Sequence, residues 1–89
     1  MSERNIDWSV VLGELDRLFV EMIDHQRAKV LRMARDYAPH VTPDDVLNPH
    51  DIAALTDAPV FHFEDGLLSG LISARVAVRA ELRRRADGE

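Results

Sequence analysis

Apolar residues recur every three or four positions over residues 6–37, and charged residues occupy the opposite side of the same pattern. This period is typical of an amphipathic α-helix. No proline interrupts the stretch before Pro39, and a helix of this size is about 45 Å long. The pattern therefore predicts an elongated structure, in which the apolar stripe of the first helix consists of Trp8, Leu12, Leu15, Phe19, Met22, Ile23, Val30, Met33 and Tyr37.

A second long helix is predicted from about Phe63 to Ala86. Glu64 and Asp65 lie at its expected start, and three consecutive arginines lie at its end. Acidic residues at the start and basic residues at the end both complement a helix dipole. One side of this helix carries an apolar stripe of Leu67, Leu71, Ala74, Val78 and Leu82.

The second helix also carries a line of small residues at alternating spacings of four and three. Each glycine inside a helix costs about 1 kcal/mol relative to alanine, and close packing of another helix is one way to offset that cost. The first helix can cover one stripe only, so the other predicts a further partner. A homodimer packed as a four-helix bundle would cover both stripes of the second helix. The predicted interface residues are Gly66, Gly70, Ser73, Ala77, Ala80, Leu67, Leu71 and Val78.

The segment between the long helices, residues 39–62, contains two helix-start signals. In "TPDDV", Thr42 is the expected cap and proline follows it; in "NPHDI", Asn48 is the expected cap and Pro49 follows. Pro59 disfavours helix at the preceding residue, so "DAPVFHF" is expected to be extended. The fold predicted for residues 1–89 is a single all-α domain: a hairpin of two long antiparallel helices joined by a linker with one or two short helices.

Length and composition add a reason to expect association. A domain of 89 residues buries only about 60 to 65% of its unfolded surface, so its own core is marginal. The sequence has no cysteine, which excludes disulfides and thiol chemistry and fits a cytoplasmic location. The opening "MSERNIDWSV" has no signal-peptide pattern, and no run approaches a membrane span. No membrane partner is expected.

The net charge of −5 is unevenly distributed. Residues 36–74 contain seven acidic residues and no lysine or arginine, whereas residues 75–89 contain five arginines and three acidic residues. An acidic chain without a continuous basic surface disfavours nucleic acid as a partner. The arginines of residues 79–85 are expected to complement the helix dipole, and we interpret them further as a contact to the acidic segment of a second copy.

Glu21 and His25 raise the possibility of a metal site, because residues four apart lie on one side of a helix. Both point away from the apolar stripe, and di-iron helical bundles instead use inward-pointing Glu-x-x-His pairs. A solvated helix face is therefore the favoured interpretation, and no cofactor is predicted. The alternative is a metal-binding helical protein whose ligands are Glu21, His25, His50 and His62.

Gln26 lies near the centre of the first helix's apolar stripe. A buried amide must form hydrogen bonds or it destabilises the fold. Arg75, near the apolar stripe of the second helix, is one candidate partner, and the same glutamine of a second copy is another. A simpler interpretation is a polar residue that sets the register of the helices without binding a ligand.

Catalytic motifs are not evident in this sequence. The serines at positions 9, 69 and 73 lie in helical patterns without a Gly-x-Ser-x-Gly turn, and no glycine-rich loop is placed to bind phosphate. The predicted function is a non-enzymatic, self-associating protein-interaction module, with metal binding as the alternative.

Overall fold

A computed structural model of the chain describes residues 5–49 and 52–88. These residues form four helices and no strand: α1 (Trp8–Tyr37), α2 (Pro43–Leu47), α3 (Ala53–Thr56) and α4 (Pro59–Ala86). Helices α1 and α4 pack against each other as a hairpin, which confirms the predicted all-α hairpin. The molecule measures 57 × 19 × 18 Å, and its radius of gyration is 17.6 Å. A compact domain of this length would have a radius of about 12 Å, so the hairpin is elongated as the helix lengths require.

The start of α1 is defined by Asp7. Its carboxylate accepts hydrogen bonds from the backbone N–H groups of Ser9 and Val10, at 3.1 and 3.3 Å. Such a cap satisfies amide groups that have no partner within the helix. The helix therefore begins at Trp8, and Asp7 is its cap rather than a member of its polar face.

The linker contains two short helices, and the first starts where its cap signal predicts. The Thr42 hydroxyl accepts a hydrogen bond from the Asp45 backbone N–H, and the Asp45 carboxylate accepts one from the Thr42 N–H. This reciprocal pair is a capping box. The second short helix begins at Ala53 with no side-chain cap. Asn48, expected to start that helix, instead follows α2 as its C-cap.

Helix α4 begins four residues earlier than expected, at Pro59. The backbone is extended at Ala58 (φ −100°, ψ 97°), and Pro59 occupies the first turn of the helix. The restriction that proline imposes falls on the preceding residue alone, while its own φ suits the first helical position. The expected extended segment therefore ends at Ala58. Glu64 and Asp65 consequently lie in the second turn, and neither complements the start of the helix.

The stripe of α4 that faces α1 differs from the predicted apolar stripe. Two members of the predicted stripe, Leu67 and Ala74, are exposed. One line of buried or half-buried residues follows spacings of three and four, and it includes a carboxylate and a guanidinium. They are Phe61, Glu64, Leu68, Leu71, Arg75, Val78 and Leu82.

The buried core lies at one end of the hairpin. Its largest fully buried side chains are Val30 of α1, Leu55 of α3 and Phe61 of α4. We call this end, where α2 and α3 contact α1, the linker half. The open half comprises residues 8–22 and 72–86, where Leu82 alone is buried. The remaining core residues are Ile23, Ala34, Val41, Ala58 and Leu68.

Candidate interaction site

The buried amide of Gln26 is bonded to α4. Its Nε2 donates to the backbone carbonyl of Glu64 at 2.9 Å and to the Glu64 carboxylate at 2.8 Å. The other carboxylate oxygen of Glu64 lies 3.3 Å from the ammonium of Lys29. The partner of Gln26 is therefore Glu64 rather than Arg75. No buried side-chain nitrogen or oxygen lacks a hydrogen-bond partner in the part of the chain that the structure describes.

Glu64 is held in its ionised form by these neighbours. The hydrogen bond from Gln26 lowers the pKa of its carboxyl, burial acts in the opposite direction, and Lys29 lowers the pKa further. The net result is a pKa below the ordinary value for glutamate. An ionised carboxylate is stable at a helix interface only when hydrogen bonds and a counter-charge compensate for lost solvent, and the two α1 side chains supply both.

A second polar contact joins the helices in the open half. Arg75 donates from Nε and Nη2 to the two carboxylate oxygens of Asp16, at 2.7 and 3.0 Å. Arg79 lies 3.6 Å from the same carboxylate. The hydrogen bond from Arg75 is the main cause of a lowered pKa at Asp16, and the same bond raises the pKa of Arg75. Two-pronged geometry of this kind is the strongest form of an arginine–carboxylate pair.

The polar contacts restrict how α1 and α4 can slide along each other. Gln26 meets Glu64, Asp16 meets Arg75, and the Arg85 guanidinium lies 5.1 Å from the centroid of the Trp8 rings. A shift by one turn would separate all three contacts and leave the Glu64 carboxylate buried without its donors. Buried polar residues fix register in this way in coiled coils.

An exposed apolar surface runs along one flank of the hairpin. Leu18, Met22 and Leu71 line a common groove between α1 and α4. Leu15 lies one turn before Leu18 on α1. On α4, Leu67 lies one turn before Leu71 and Val78 two turns after it, on the same side of the helix. Most of these side chains are exposed, including Leu18 at 47%. We call this surface the apolar flank; it consists of Leu15, Leu18, Met22, Leu67, Leu71 and Val78.

The line of small residues lies on the back of α4, away from α1, and every member is exposed. A Cβ atom added at Gly66 or Gly70 would meet no described atom within 4 Å. Packing within the described hairpin therefore does not offset the cost of these glycines. Gly70 and Ala77 lie at the border between this line and the apolar flank. The members are Gly66, Gly70, Ser73, Ala77 and Ala80.

The candidate metal ligands do not form a cluster. Glu21 is exposed and accepts a hydrogen bond from Arg17 at 2.9 Å, and His25 is exposed on the same helix. His62 Nε2 donates to the backbone carbonyl of Thr56 at 2.7 Å, whereas His50 lies outside the described residues. Within residues 5–49 and 52–88, no three His, Asp or Glu side chains are grouped closely enough to hold a metal ion.

The arginines near the end of α4 contact residues of their own hairpin. Arg84 and Arg85 form ion pairs with Glu81, and Arg79 approaches Asp16. The Arg85 guanidinium also lies over Trp8. Contact between this segment and the acidic residues of a second copy stays a prediction.

Comparisons with protein-family models, with curated proteins and with solved structures gave no match. In the described part of the chain, none of the helices has the length and apolar character needed to cross a membrane. The function therefore has to be inferred from the surfaces and contacts of this chain itself.

Proposed function

We propose that this protein is a self-associating interaction module that forms a homodimer through the apolar flank. The observation that carries this proposal is the exposure of leucine and methionine side chains from both long helices along the apolar flank. Two flanks packed face to face would form a four-helix bundle. This arrangement gives the open half the additional layer of helices that α2 and α3 supply at the linker end.

The dimensions of the hairpin are compatible with this proposal. The hairpin is 57 Å long and 19 Å wide, so the whole side that contains the flank offers on the order of 1,000 Å², compared with the roughly 800 Å² that each partner contributes to a stable interface. Each apolar side chain moved from water into the interface contributes at about 25 cal/mol per Å². A two-fold arrangement uses the same patch on both copies, so the proposal needs no second surface.

The small residues at the border of the flank fit such a partner. Gly70 and Ala77 project little or nothing from α4, so a helix of the second copy can approach the α4 backbone closely on that side. Large apolar side chains on the flank supply the buried area, and the small residues set the distance. We expect both to belong to one interface, with the flank making the larger contribution.

The test is the mass of the protein in solution, measured by sedimentation equilibrium over a wide concentration range. The wild type is expected to be a dimer. Leu18→Glu places a charge in the centre of the proposed interface and is expected to yield a monomer, with at least about a hundredfold weaker association. The matched control is Val10→Glu, because Val10 is 59% exposed on the same helix but lies on its back. The control is expected to remain dimeric.

Two results would contradict the proposal. One is a wild-type monomer at the highest concentration, and the other is equal weakening by both variants. Gly70→Leu tests whether the interface extends to the border of the flank. We expect severalfold weaker dimerisation, because the added side chain would hold the partner helix away. A dimer insensitive to this change would confine the interface to the flank and exclude its border.

A further inference from the structure

The opposite side of the hairpin carries a trough that the proposed dimer does not use. Two cavities form it, with volumes of about 530 and 260 Å³. Asp24 and Arg27 line both cavities, so the two are adjacent. The larger lies where α2 meets α1 and α4, and the smaller continues between the long helices into the open half.

The larger cavity is mostly apolar, whereas apolar and charged residues line the smaller one in equal number. Leu31 and Leu68 line the larger cavity together with Leu47 of α2, whose side chain is 74% exposed. Ile72 and Val76 continue the apolar line in the smaller cavity, and Val76 is 64% exposed. From Leu68 to Val76 the line extends about 12 Å along α4, and α2 lengthens it further. A length of about 12 Å corresponds to about two turns of a bound helix.

The α2 end of the trough is acidic. The carboxylates of Asp24, Asp44 and Asp65 line the larger cavity, and one of them has a nearby cation, because Arg27 lies 3.8 Å from Asp24. No lysine or arginine occurs in residues 36–74. At the other end, Arg75 and Arg79 line the smaller cavity, and Asp16 lies near both of them. A ligand that follows the trough therefore meets excess negative charge at one end only.

We propose that this trough binds an amphipathic helix of another protein, with apolar residues on its inner face and lysines or arginines at the end nearest α2. Apolar side chains spaced three and four apart on such a helix would lie along Leu31, Leu68 and Val76, with Leu47 as a side wall. Helix-in-groove recognition places the apolar face of an amphipathic helix in a hydrophobic groove, and complementary charges fix its direction. Because the trough and the apolar flank are on opposite sides, binding here does not rest on the proposed dimer.

The test uses a synthetic 18-residue helical peptide of leucine and lysine, and the same peptide with glutamate in place of lysine. A helix of this size is about 27 Å long. The lysine peptide is expected to bind full-length protein and to shift the methyl NMR signals of Leu31, Leu47 and Leu68. The glutamate peptide is expected to bind at least about tenfold more weakly.

Variants separate this site from general attraction between an acidic protein and a basic peptide. Leu47→Ser removes an exposed apolar wall and is expected to weaken binding about tenfold. Asp65→Asn is expected to weaken it about threefold, whereas the control Asp36→Asn, an equal charge change away from the trough, is expected to alter it less than about twofold. Circular dichroism spectra and melting curves check that each variant is folded.

Three outcomes would overturn the inference. Signal changes concentrated at Leu18 and Met22 would place the peptide on the apolar flank. Equal effects of Asp65→Asn and Asp36→Asn would reveal attraction without a site. Loss of dimer mass in Leu47→Ser without peptide would show that a second copy occupies the trough. A monomeric wild type that still binds the peptide would contradict the proposed dimer and leave the proposed peptide site supported.

Discussion

The linker half and the open half are built from the same two helices and differ in what covers them. In the linker half, α2, α3 and the segment around Val41 lie over α1, and Leu55 and Phe61 become fully buried between them. In the open half, the two helices meet along one seam, where Leu82 alone is buried and Asp16 and Arg75 occupy part of the contact. A pair of helices alone buries one stripe of each, so the remaining apolar side chains stay exposed.

This difference indicates where the protein needs a partner. An apolar helix face is buried only when another element packs against it. The linker supplies such an element to α1 and α4 only near its own end of the hairpin. The exposed side chains of Leu15, Leu18 and Met22 on the apolar flank lie in the half that lacks such an element. We therefore expect equivalent substitutions to change the unfolding free energy by different amounts in the two halves.

The largest difference is expected for truncation of buried side chains. Phe61→Ala in the linker half is expected to cost about 3–5 kcal/mol of unfolding free energy, because Phe61 is 0% exposed and the surrounding core cannot collapse onto the cavity. Leu82→Ala in the open half is expected to cost about 2 kcal/mol, the low end for such changes, because its groove with Trp8 is open to water. Urea unfolding monitored by circular dichroism measures both values.

Val60→Ala provides the control for that pair, since Val60 is exposed on α4 and its truncation is expected to change stability by less than about 0.5 kcal/mol. If Leu82→Ala cost as much as Phe61→Ala, the open half would be as tightly packed as the linker half. The proposed difference in packing between the two halves would then be wrong.

The next largest effect is expected at the polar contact between Gln26 and Glu64. Gln26→Leu removes two hydrogen bonds from a buried glutamate and is expected to cost about 1–3 kcal/mol. Replacing both residues with leucine is expected to recover most of that stability, because no buried carboxylate is then left without its donor. Urea unfolding of the two single variants and the double variant gives the coupling.

The mass in solution of the double variant tests the role of this contact in register. If the contact only stabilises, the double variant keeps its association state and cooperative unfolding. If it sets register, the double variant is expected to unfold with a broader transition, because α1 and α4 can then pair in more than one alignment. A double variant that is more stable and equally cooperative would refute a register role.

The two long helices could be predicted from period alone, because a 3.6-residue repeat over some 30 positions has one structural interpretation. Gln26 stood out for the same reason, being polar at an apolar position. Its partner was harder to identify, since Glu64 at an assumed helix start has an ordinary explanation as a dipole-complementing residue. An earlier start at Pro59 moves that glutamate into the seam.

Asp16 shows the other limit of sequence reasoning. Its position is close to the α1 stripe, yet one carboxylate beside a stripe usually faces water. The one sequence signal for two matched contacts is the spacing of polar residues along both helices. Ten positions separate Asp16 from Gln26, and eleven separate Glu64 from Arg75, as an antiparallel pair of helices requires. With Glu64 and Arg75 in the seam, Leu67 and Ala74 of the predicted stripe are exposed.

A smaller effect is expected from pH. The pKa values of Glu64 and Asp16 are lowered in the folded state, so each carboxyl contributes stability that is present above its unfolded pKa of about 4 and is lost as pH falls through the folded value. The unfolding free energy is therefore expected to fall between about pH 5 and pH 2. Asp16→Asn and Arg75→Gln should each weaken this dependence by removing the open-half contribution. An unchanged slope in both variants would mean that the Asp16–Arg75 pair does not stabilise the open half.

The smallest effect is expected from two glycine-to-alanine changes, one in each half. Gly13 in α1 and Gly66 in α4 are exposed inside helices, and a Cβ atom at either would meet no atom of the described chain within 4 Å. Each change is expected to raise the unfolding free energy by about 0.5–1 kcal/mol, since alanine loses less backbone entropy on folding. Equal gains in urea unfolding would show that both halves unfold as one unit. A gain at Gly66 but none at Gly13, together with faster amide exchange in residues 8–22, would mean that the open half unfolds separately before its partner covers it.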